Sequence, residues 1–495
     1  MPEPAEGPTT APPDSAEAAP TETVLSPRHR ALTIGLTLSV TVVAFLWLGV
    51  TTVLPKVASE LDGLSLFGWA FTGFMLANMV GTVLAGRLAD RTGAVRPYLI
   101  AFAVFTAGCA AAAVAPNWPV LLAARAAQGF GVGGVLTLVY LSVGRAYPER
   151  LRAKMLALVA SCWTLPALIG PVLLGRLADS TDWRIVFAVF IPAVPIAAVL
   201  TLPGLRGLGP SGAGADGADG ADGADGADGA DGADGGPSGG GRLWATLALA
   251  IGVGALMAGL DAREPLYLVP LVLVGLAITI PVLRRLLPPG TLRLRRGLPS
   301  AVAVRGLVSV AYYGSEAFFP LTMTTVYGLS STQAGLALAV GAITWVGGAW
   351  LQARFDERGG DRGRRMRVMA GFVLLVAGLG LLVATVAVHP ALPVALAAVG
   401  WGVGGLGMGL VYPSVTTLAL GQAKAGEEGA ASAGLQLSET LSVALMTGLS
   451  GAVLAFGVSA GWEEATSFAA VFGIAVLASL AGIGTGARTL AAKAG

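Results

Sequence analysis

The sequence predicts an all-α polytopic membrane protein with about fourteen transmembrane helices, arranged as two six-helix bundles with two extra central helices. Hydrophobic residues make up 55% of the 495 residues and charged residues only 12%, whereas a soluble protein carries about 25% charged residues. The mean hydropathy is +0.74. Apolar stretches long enough to cross a bilayer follow one another along most of the chain. These observations exclude a set of ordinary soluble domains.

The composition also excludes several functional classes. Two cysteines cannot build a disulfide scaffold or a cysteine-rich metal site, and two histidines leave little for catalysis. The sequence has neither a His-Glu-x-x-His metal pattern nor a phosphate-cradling Gly-Lys-Ser. We therefore expect no cofactor and no metal site, and a polytopic membrane enzyme or receptor is only a remote alternative. A net charge of +2 is too small to indicate a nucleic-acid partner.

A membrane-spanning helix needs about 20 mostly apolar residues, and the candidate spans fall into three groups. The first group is roughly 31–55, 66–85, 98–115, 119–144, 155–176 and 184–203. The second is roughly 243–260 and 265–283, and the third is roughly 299–326, 332–353, 368–388, 391–420, 430–457 and 465–487. We therefore predict an N-terminal bundle over 31–204, an inserted helix pair over 243–286 and a C-terminal bundle over 297–490.

The basic residues indicate the orientation of these spans. Most of the 31 lysines and arginines fall in alternate loops, as expected for loops on the cytoplasmic side. The loops assigned to the outside hold only Lys56, Arg176, Arg184 and Arg263. Residues 1–27 have no apolar core, so we predict a disordered cytosolic tail over 1–30 instead of a signal peptide. The abundance of Arg, Ala and Gly is typical of a GC-rich bacterial genome, so the expected location is the bacterial cell (inner) membrane with both termini cytoplasmic.

A linker and a weak internal repeat divide the chain. Residues 214–235 repeat Gly-Ala-Asp seven times, which favours a flexible, self-repelling linker over 205–242. Val53-Leu54-Pro55 has a counterpart in Phe318-Phe319-Pro320, 265 residues later, and Asp90-Arg91-Thr92-Gly93 has one in Asp356-Glu357-Arg358-Gly359, 266 residues later. Two landmarks at nearly one offset suggest a duplicated six-span unit, as found in transporters built from repeats.

Four motifs then occur in order on the first six spans. Gly86-Arg87-Leu88-Ala89-Asp90-Arg91-Thr92-Gly93-Ala94-Val95-Arg96 joins spans two and three, and Arg125-Ala126-Ala127-Gln128-Gly129 lies in span four. Gly170-Pro171 followed by Gly175 lies in span five, and Trp183-Arg184 opens span six. These stretches resemble the signature motifs of the major facilitator superfamily, and the span count resembles its fourteen-span drug/proton antiporter branch. The resemblance implies two six-helix bundles that rock against each other.

The resemblance also implies roles for these residues. The loop with Gly86, Asp90, Arg91, Gly93 and Arg96 would latch the cytoplasmic side when the protein opens outward. The alternative for the arginines is ordinary positive charge on the cytoplasmic side. In the fourth span, Arg125, Gln128 and Gly129 would face the bundle interior, although an arginine near a span end can also extend to the interface. The Gly170, Pro171 and Gly175 motif would shape a moving helix interface, although a transmembrane proline can be merely structural.

Ionisable residues inside spans are costly and are therefore functional candidates. Glu316 in span nine is the best candidate for a proton carrier, because burial favours the neutral form of a carboxyl group. A structural hydrogen bond to another helix is the alternative. Glu439 is a second candidate for proton coupling or part of an inter-helix polar contact. Arg125 is the third candidate for proton coupling. We expect Arg305, which lies near the inside, to be an anchor.

Aromatic residues in the spans are candidates for the lining of a substrate cavity, and they are Trp47, Trp163, Tyr312, Trp345 and Tyr412. Aromatic belts at the membrane interface are the alternative. The sequence thus predicts a transporter and not an enzyme: a secondary active, proton-coupled exporter of amphipathic or hydrophobic small molecules. The antiporter branch often has an acid where this chain has Leu46, which leaves a lipid transporter or an uptake carrier as the alternative. The expected partners are the bilayer, protons and a small-molecule or lipid substrate.

Overall fold

The structure is a computed structural model that describes residues 23–27, 29–206, 239–262, 264–423 and 428–489. Within these ranges, every regular element is helical. Most of the predicted tail over 1–30 and of the predicted linker over 205–242 lies outside the described residues.

The first half of the chain forms eight helices that make six crossings. They are α1 (Arg30–Glu60), α2 (Trp69–Thr92), α3 (Val95–Ala113), α4 (Trp118–Ala146), α5 (Glu149–Ser161), α6 (Thr164–Ser180), α7 (Trp183–Ala188) and α8 (Phe190–Leu205). Helices α5 and α6 follow each other along one apolar crossing, and α7 and α8 do the same along the next. We call α1 to α8 the N-half.

The remaining described residues form an inserted hairpin and a second half. The hairpin consists of α9 (Gly239–Asp261) and α10 (Pro265–Leu286). The C-half consists of α11 (Leu298–Ala311), α12 (Tyr313–Glu316), α13 (Phe319–Thr325), α14 (Ser331–Ala387), α15 (Val394–Leu420), α16 (Glu428–Ser459) and α17 (Glu464–Gly486). Helix α14 holds two crossings, because its backbone bends at Gly360, where φ is +50°.

Thirteen described helices are long and apolar enough to cross a membrane, one fewer than the predicted number of about fourteen. The difference lies in the ninth predicted span, which is broken into α11, α12 and α13. Tyr312 departs from ideal helical geometry at the first break, and Pro320 stands in the first turn of α13, where a missing N–H group is tolerated. A broken crossing of this kind is viable in a membrane where neighbouring helices cover the backbone, and these three helices are mostly buried.

The two halves meet along two seams. Helix α6 packs on α14 at one seam and α2 packs on α16 at the other, where α9 of the hairpin also contacts α2 and α16. We call the side where α8 ends at Leu205 and α9 begins at Gly239 the linker side, and the opposite side the far side. These seams position the charged and aromatic residues described below.

Candidate functional site

A buried ion pair joins three helices of the C-half. The Nε atom of Arg305 on α11 donates to Oε2 of Glu439 on α16 at 2.7 Å, and the Tyr412 hydroxyl on α15 donates to the same oxygen at 3.0 Å. Arg305 Nη1 also donates to the Thr416 hydroxyl at 3.0 Å. The side chains of Arg305 and Glu439 are only 7% and 15% exposed. Hydrogen bonds thus compensate both charges in a place where isolated charges would be strongly unfavourable.

This pair differs from the anchor role expected for Arg305. The guanidinium group turns into the protein instead of reaching the interface, because Glu439 and Tyr412 supply acceptors there. Its Cζ atom also lies 3.3 Å from the centre of the Tyr412 ring. The sequence singled out both Arg305 and Glu439, but 134 residues separate them and no pattern in the sequence indicated their contact.

Three half-buried aromatic rings form a wall next to the ion pair. The ring centres of Tyr313 and Trp345 are 5.8 Å apart, and those of Trp345 and Tyr412 are 5.9 Å apart. We call Tyr313, Trp345 and Tyr412 the aromatic wall. Tyr312, which was predicted to line a cavity, is instead 2% exposed and stacks on Trp401 at 4.7 Å. The helix break at Tyr312 brings Tyr313, which the sequence reasoning missed, to the wall.

Two predicted cavity aromatics belong to the N-half. Trp47 on α1 is half-buried and packs against Phe71 and Phe74, with ring centres 6.1 Å and 5.4 Å away. Trp163 is half-buried at the break between α5 and α6. Neither ring contacts the aromatic wall among the described residues.

Glu316 on α12 lies deep in the C-half and is 6% exposed. In the described part of the chain, its buried Oε2 atom has no hydrogen-bond partner. Tyr312 and Tyr313 are close enough to interact with it electrostatically, and Tyr313 also interacts with Arg305 and Glu439. Tyr313 is therefore near both Glu316 and the ion pair. A buried carboxyl group without a compensating partner favours its neutral form.

Arg125 on α4 is 1% exposed and lies inside the N-half instead of reaching the interface. Its Nη1 atom donates to Oε1 of Gln128 at 2.7 Å, and its Nε atom donates to the Ala70 carbonyl oxygen of α2 at 3.3 Å. A side chain at Gly129 would clash with the Phe74 carbonyl group, so Gly129 permits the close packing of α4 on α2. The fourth-span residues therefore hold a buried positive charge at this helix contact.

The motif with Gly170, Pro171 and Gly175 lies on the α6–α14 seam. A Cβ atom on Gly175 would lie 2.7 Å from the Ser331 carbonyl oxygen, and one on Gly335 of α14 would lie 2.5 Å from the Pro171 carbonyl oxygen. Both distances are too short for carbon and oxygen atoms, so the two helices touch through glycine and backbone. At Gly170, the nearest group is the ring of Phe45, at 3.3 Å, so that residue faces α1.

A substitution on α14 tests the tightness of this seam. We expect Gly335→Ala to separate α6 from α14 and to reduce transport at least about tenfold, because overpacking costs roughly 1–3 kcal/mol. Gly347→Ala is the matched control on the same helix, because a Cβ atom there has nothing within 4 Å. Initial transport rates in proteoliposomes compare the two variants. Equal rates for both would show that the close contact does not matter.

The signature loop takes part in a surface ion pair. Asp90 Oδ1 accepts from Arg145 Nη2 at 3.1 Å, and both side chains are partly exposed. Gly93 ends α2 with φ of +78°, which favours glycine, whereas Arg91 and Arg96 are exposed. Gly86 does not mark a close helix contact, because its nearest neighbour would be 3.8 Å from a Cβ atom. An exposed pair of this kind contributes only about 0–1 kcal/mol.

The corresponding loop of the C-half also contains aspartate–arginine contacts. Asp356 accepts from Arg364 at 2.6 Å and from Arg367 at 2.5 Å. Arg364 also pairs with Asp361 at 2.9 Å. Both halves thus place an aspartate–arginine contact in the same loop, in line with the internal repeat.

The two halves are joined by hydrogen bonds on the far side. Asp179 of α6 accepts from the backbone N–H groups of Ser331 and Thr332 at 3.2 Å and 2.8 Å, and from the Thr332 hydroxyl at 2.6 Å. At the other seam, the hydroxyl groups of Thr72 and Thr447 are 3.0 Å apart. Among the described side chains, the hydrogen bonds between the halves lie at these two seams.

The linker side of the seam is more open. Tyr140 of α4 lies near the linker-side end of its helix and is 52% exposed. It is nevertheless close enough to Glu439 of the opposite half for an electrostatic interaction. The ion pair and the exposed tyrosine are thus near each other where the described halves are not hydrogen-bonded together.

Comparison with known proteins gives one family and several partial relatives. The model of the Major Facilitator Superfamily matches residues 36–447. The chain is 33% identical over 159 residues to "Efflux pump dotC" of Dothistroma septosporum, covering 32% of this chain and 27% of that protein. It is 31% identical over 143 residues to "Multidrug transporter protein MdtP" of Bacillus subtilis (strain 168), covering 29% of this chain and 26% of that protein. The matched stretches therefore span about a quarter of the length of these relatives.

The overall fold also matches solved structures. An auto-inhibited POT family peptide transporter superposes with a TM-score of 0.65 at 16% identity, covering 93% of this chain and 97% of that one. The structure of the POT family transporter PepTSo gives the same TM-score at 14% identity, covering 92% and 98%. At these identities the likeness concerns the fold alone.

Proposed function

Because the chain belongs to the major facilitator superfamily, we propose that it is a secondary active transporter that exports amphipathic or hydrophobic small molecules by alternating access. The superfamily, the fold and the multi-pass membrane class predicted from the sequence are confirmed. In the proposed arrangement, the bundles over 31–204 and 297–490 rock against each other and the hairpin over 243–286 is an insertion. The linker side faces the cytoplasm of a bacterial cell, so that both termini are cytoplasmic.

The observation that carries this proposal is the Arg305–Glu439 pair beside the aromatic wall. The ion pair, with Arg305 Nε 2.7 Å from Glu439 Oε2, lies beside half-buried aromatic rings. The linker-side seam near them is exposed at Tyr140. Such a surface suits a molecule with an apolar body and a polar group, because the rings supply apolar area and the ion pair supplies hydrogen bonds. Proteins named efflux pump and multidrug transporter among the relatives support the export direction.

Proton coupling is proposed to use Glu316. Its carboxyl group is buried without a hydrogen bond to Oε2, so its charged form requires a change in its surroundings. Opening of the far side would supply that change by hydrating the site. Tyr313 is near both Glu316 and the Arg305–Glu439 pair, so a change of charge on Glu316 would alter the electrostatic environment that Tyr313 shares with the ion pair. Arg125 is proposed to be the buried charged residue of the N-half that takes part in proton coupling.

The signature loop is proposed to act as the linker-side latch. Its Asp90 holds Arg145 of α4 in the present state, in which the far side is closed. When the linker side closes, the exposed Arg91 and Arg96 become available for contacts with the other half. The weak surface pair seen here suits a contact that must form and break.

The far-side contacts supply a test of the proposed motion. We expect Asp179→Ala to weaken far-side closure, because it removes three hydrogen bonds between the halves. A cysteine placed at the buried position of Thr447, with Cys109 and Cys162 replaced, should then react several-fold faster with a membrane-impermeant maleimide. Asp182→Ala is the control, because among the described residues that side chain bonds to Arg184 within the N-half. Unchanged labelling would show that Asp179 does not hold the seam.

Transport by the purified protein tests the function itself. Proteoliposomes would be assayed with a panel of cationic and neutral dyes and with fluorescent phospholipids, with and without a pH gradient. We expect gradient-driven movement of several dyes that protein-free liposomes do not show. Movement of phospholipids alone would favour the lipid transporter, which the apolar Leu46 in α1 leaves as the second candidate. Movement of neither class would contradict the proposal.

A further inference from the structure

The segment over residues 284–296, which we call the arginine loop, carries a concentrated positive charge on the linker side. Its five arginines are all exposed and are Arg284, Arg285, Arg293, Arg295 and Arg296. The segment contains no acidic residue. In the part of the chain that the structure describes, these five side chains make no hydrogen bond or ion pair. The charge of the arginine loop is therefore not balanced by described residues.

Two other basic loops on the linker side contain acidic residues that pair with arginines. Asp356 pairs with Arg364 and Arg367, and Asp90 pairs with Arg145. A bias towards positive charge is sufficient to orient a membrane protein. The two loops with Asp90 and Asp356 meet that requirement while keeping acids beside their arginines, so the requirement does not explain an acid-free cluster.

The arginine loop also has a fixed shape. Its backbone turns through positive φ at Gly290 (+94°) and Leu294 (+51°), and the N–H of Arg295 donates to the Gly290 carbonyl oxygen at 3.1 Å. The N–H of Gly297 donates to the Arg488 carbonyl oxygen at the end of α17, also at 3.1 Å. The arginines are thus presented by the last turn of α10 and by an ordered turn anchored to the C-half.

The position of the arginine loop indicates what binds it. It begins in the last turn of α10, whose Leu273 and Ile280 are 60% and 40% exposed on an apolar face. Leu292, within the loop, is itself 51% exposed. Apolar and arginine side chains side by side at a helix end match the boundary between acyl chains and headgroups. Guanidinium groups bind phosphate through paired hydrogen bonds.

We propose that the arginine loop binds the phosphate groups of anionic phospholipids in the linker-side leaflet. Lipid retention is measured without transport, so the test does not require a transport substrate. Native mass spectrometry of protein released from nanodiscs with equal amounts of phosphatidylglycerol and phosphatidylcholine reports which lipid is retained. We expect the wild type to retain phosphatidylglycerol preferentially, by several-fold.

The triple variant R293Q/R295Q/R296Q should reduce that preference at least about threefold. The control K154Q/R354Q/R362Q removes three exposed linker-side charges elsewhere and should leave it unchanged. Equal retention in the wild type and the first variant would overturn the proposal. A preference that appears only after the seven aspartates of residues 214–235 are changed to Asn would also overturn it, because the chain's own acidic segment would then occupy the loop.

Helix α9 carries a second, independent feature, because it contacts both halves at the far-side seam. The Nε1 atom of Trp69 on α2 donates to Oδ2 of Asp261 at the end of α9. Four residues earlier, Met257 is 2% exposed and fills the space above Gly448 of α16, where a Cβ atom would lie 2.7 Å from its Cγ atom. One helix thus reaches across α2 and α16.

The two contacts differ in kind. The contact with α2 includes a hydrogen bond from Trp69, which would leave polar atoms unpaired if it were broken. The contact with α16 is made by the apolar side chain of Met257 against Gly448, and it can separate without leaving polar atoms unpaired. We infer that α9 is a third part of the far-side closure, which stays on α2 and must leave α16 when the far side opens. This inference rests on the proposed alternating access.

Cross-linking tests the inference in a background without Cys109 and Cys162. The pair Met257→Cys and Gly448→Cys joins α9 to α16, and the pair Gly254→Cys and Leu76→Cys joins α9 to α2. A short, reducible, thiol-specific cross-linker should reduce transport at least about tenfold in the first pair and leave it unchanged in the second. Reduction with dithiothreitol should restore transport in the first pair.

Full transport with the first cross-link in place would overturn the inference. If the proposed function itself is wrong, neither the wild type nor the reduced variants will transport, so this failure is distinguishable from failure of the inference. The extent of cross-linking is read on gels, so an unformed bridge is not mistaken for a harmless one.

Discussion

Replacement of Glu316 by Gln is expected to abolish substrate-driven proton movement while leaving the fold intact. Gln has nearly the same shape as the neutral carboxyl group, which the buried site favours, but it cannot release a proton. In proteoliposomes that contain a pH-sensitive dye, the wild type should acidify or alkalinise the lumen when substrate is added. The variant should fall to the level of protein-free liposomes.

The control for this experiment is Glu463→Gln, an exposed acid at the far-side start of α17. It should keep the wild-type proton signal. Substrate binding and the melting temperature of the Glu316 variant should stay close to those of the wild type. Undiminished proton exchange in the Glu316 variant would remove this residue from the coupling mechanism.

Disruption of the Arg305–Glu439 pair is expected to have the largest effect on stability. The loss of one partner leaves a buried charge uncompensated, which costs about 3–5 kcal/mol. Both Arg305→Met and Glu439→Leu should therefore lower the melting temperature of the detergent-solubilised protein and stop transport. The double variant R305M/E439L should recover most of the stability, because no buried charge is left, but it should not recover transport.

Arg354→Met serves as the matched control, since Arg354 is exposed on the linker side and should tolerate the change. A double variant that transports normally would reduce the ion pair to a structural element. Single variants as stable as the wild type would contradict the burial that underlies this prediction.

The sequence predicted the parts of this protein that depend on the bilayer. Length and apolarity located the crossings, because lipid demands about 20 apolar residues per helix. The exception is the ninth span, which was predicted over 299–326 as one helix. Its break at Tyr312 depends on tertiary packing around Trp401, which local apolarity does not encode.

The candidate site was less accessible to sequence reasoning. Arg305 and Glu439 were each noticed because charge is costly in a membrane, but their contact needs the packing of α11 against α16. Tyr312 and Tyr313 are neighbours in the sequence, and only the backbone decides which one joins the aromatic wall. A tyrosine next to a buried acid and a buried arginine was the available signal for Tyr313.

The inter-half contacts could not be predicted for the same reason. Gly175 was identified from its motif, whereas its partner Ser331 lies in the other half of the chain. Asp179 follows that motif, and the sequence analysis did not single it out. Its three hydrogen bonds to the start of α14 emerge only when the two halves are brought together.

The most direct test of the two-half mechanism is a pair of distance measurements by pulsed electron spin resonance. One pair of spin labels would report the linker side, at Lys154 and Arg354, and the other the far side, at Ser65 and Ser459. Substrate and pH changes should shorten the linker-side distance and lengthen the far-side distance in the same fraction of molecules. Distances that stay fixed under all conditions, or that change in the same direction on both sides, would contradict alternating access.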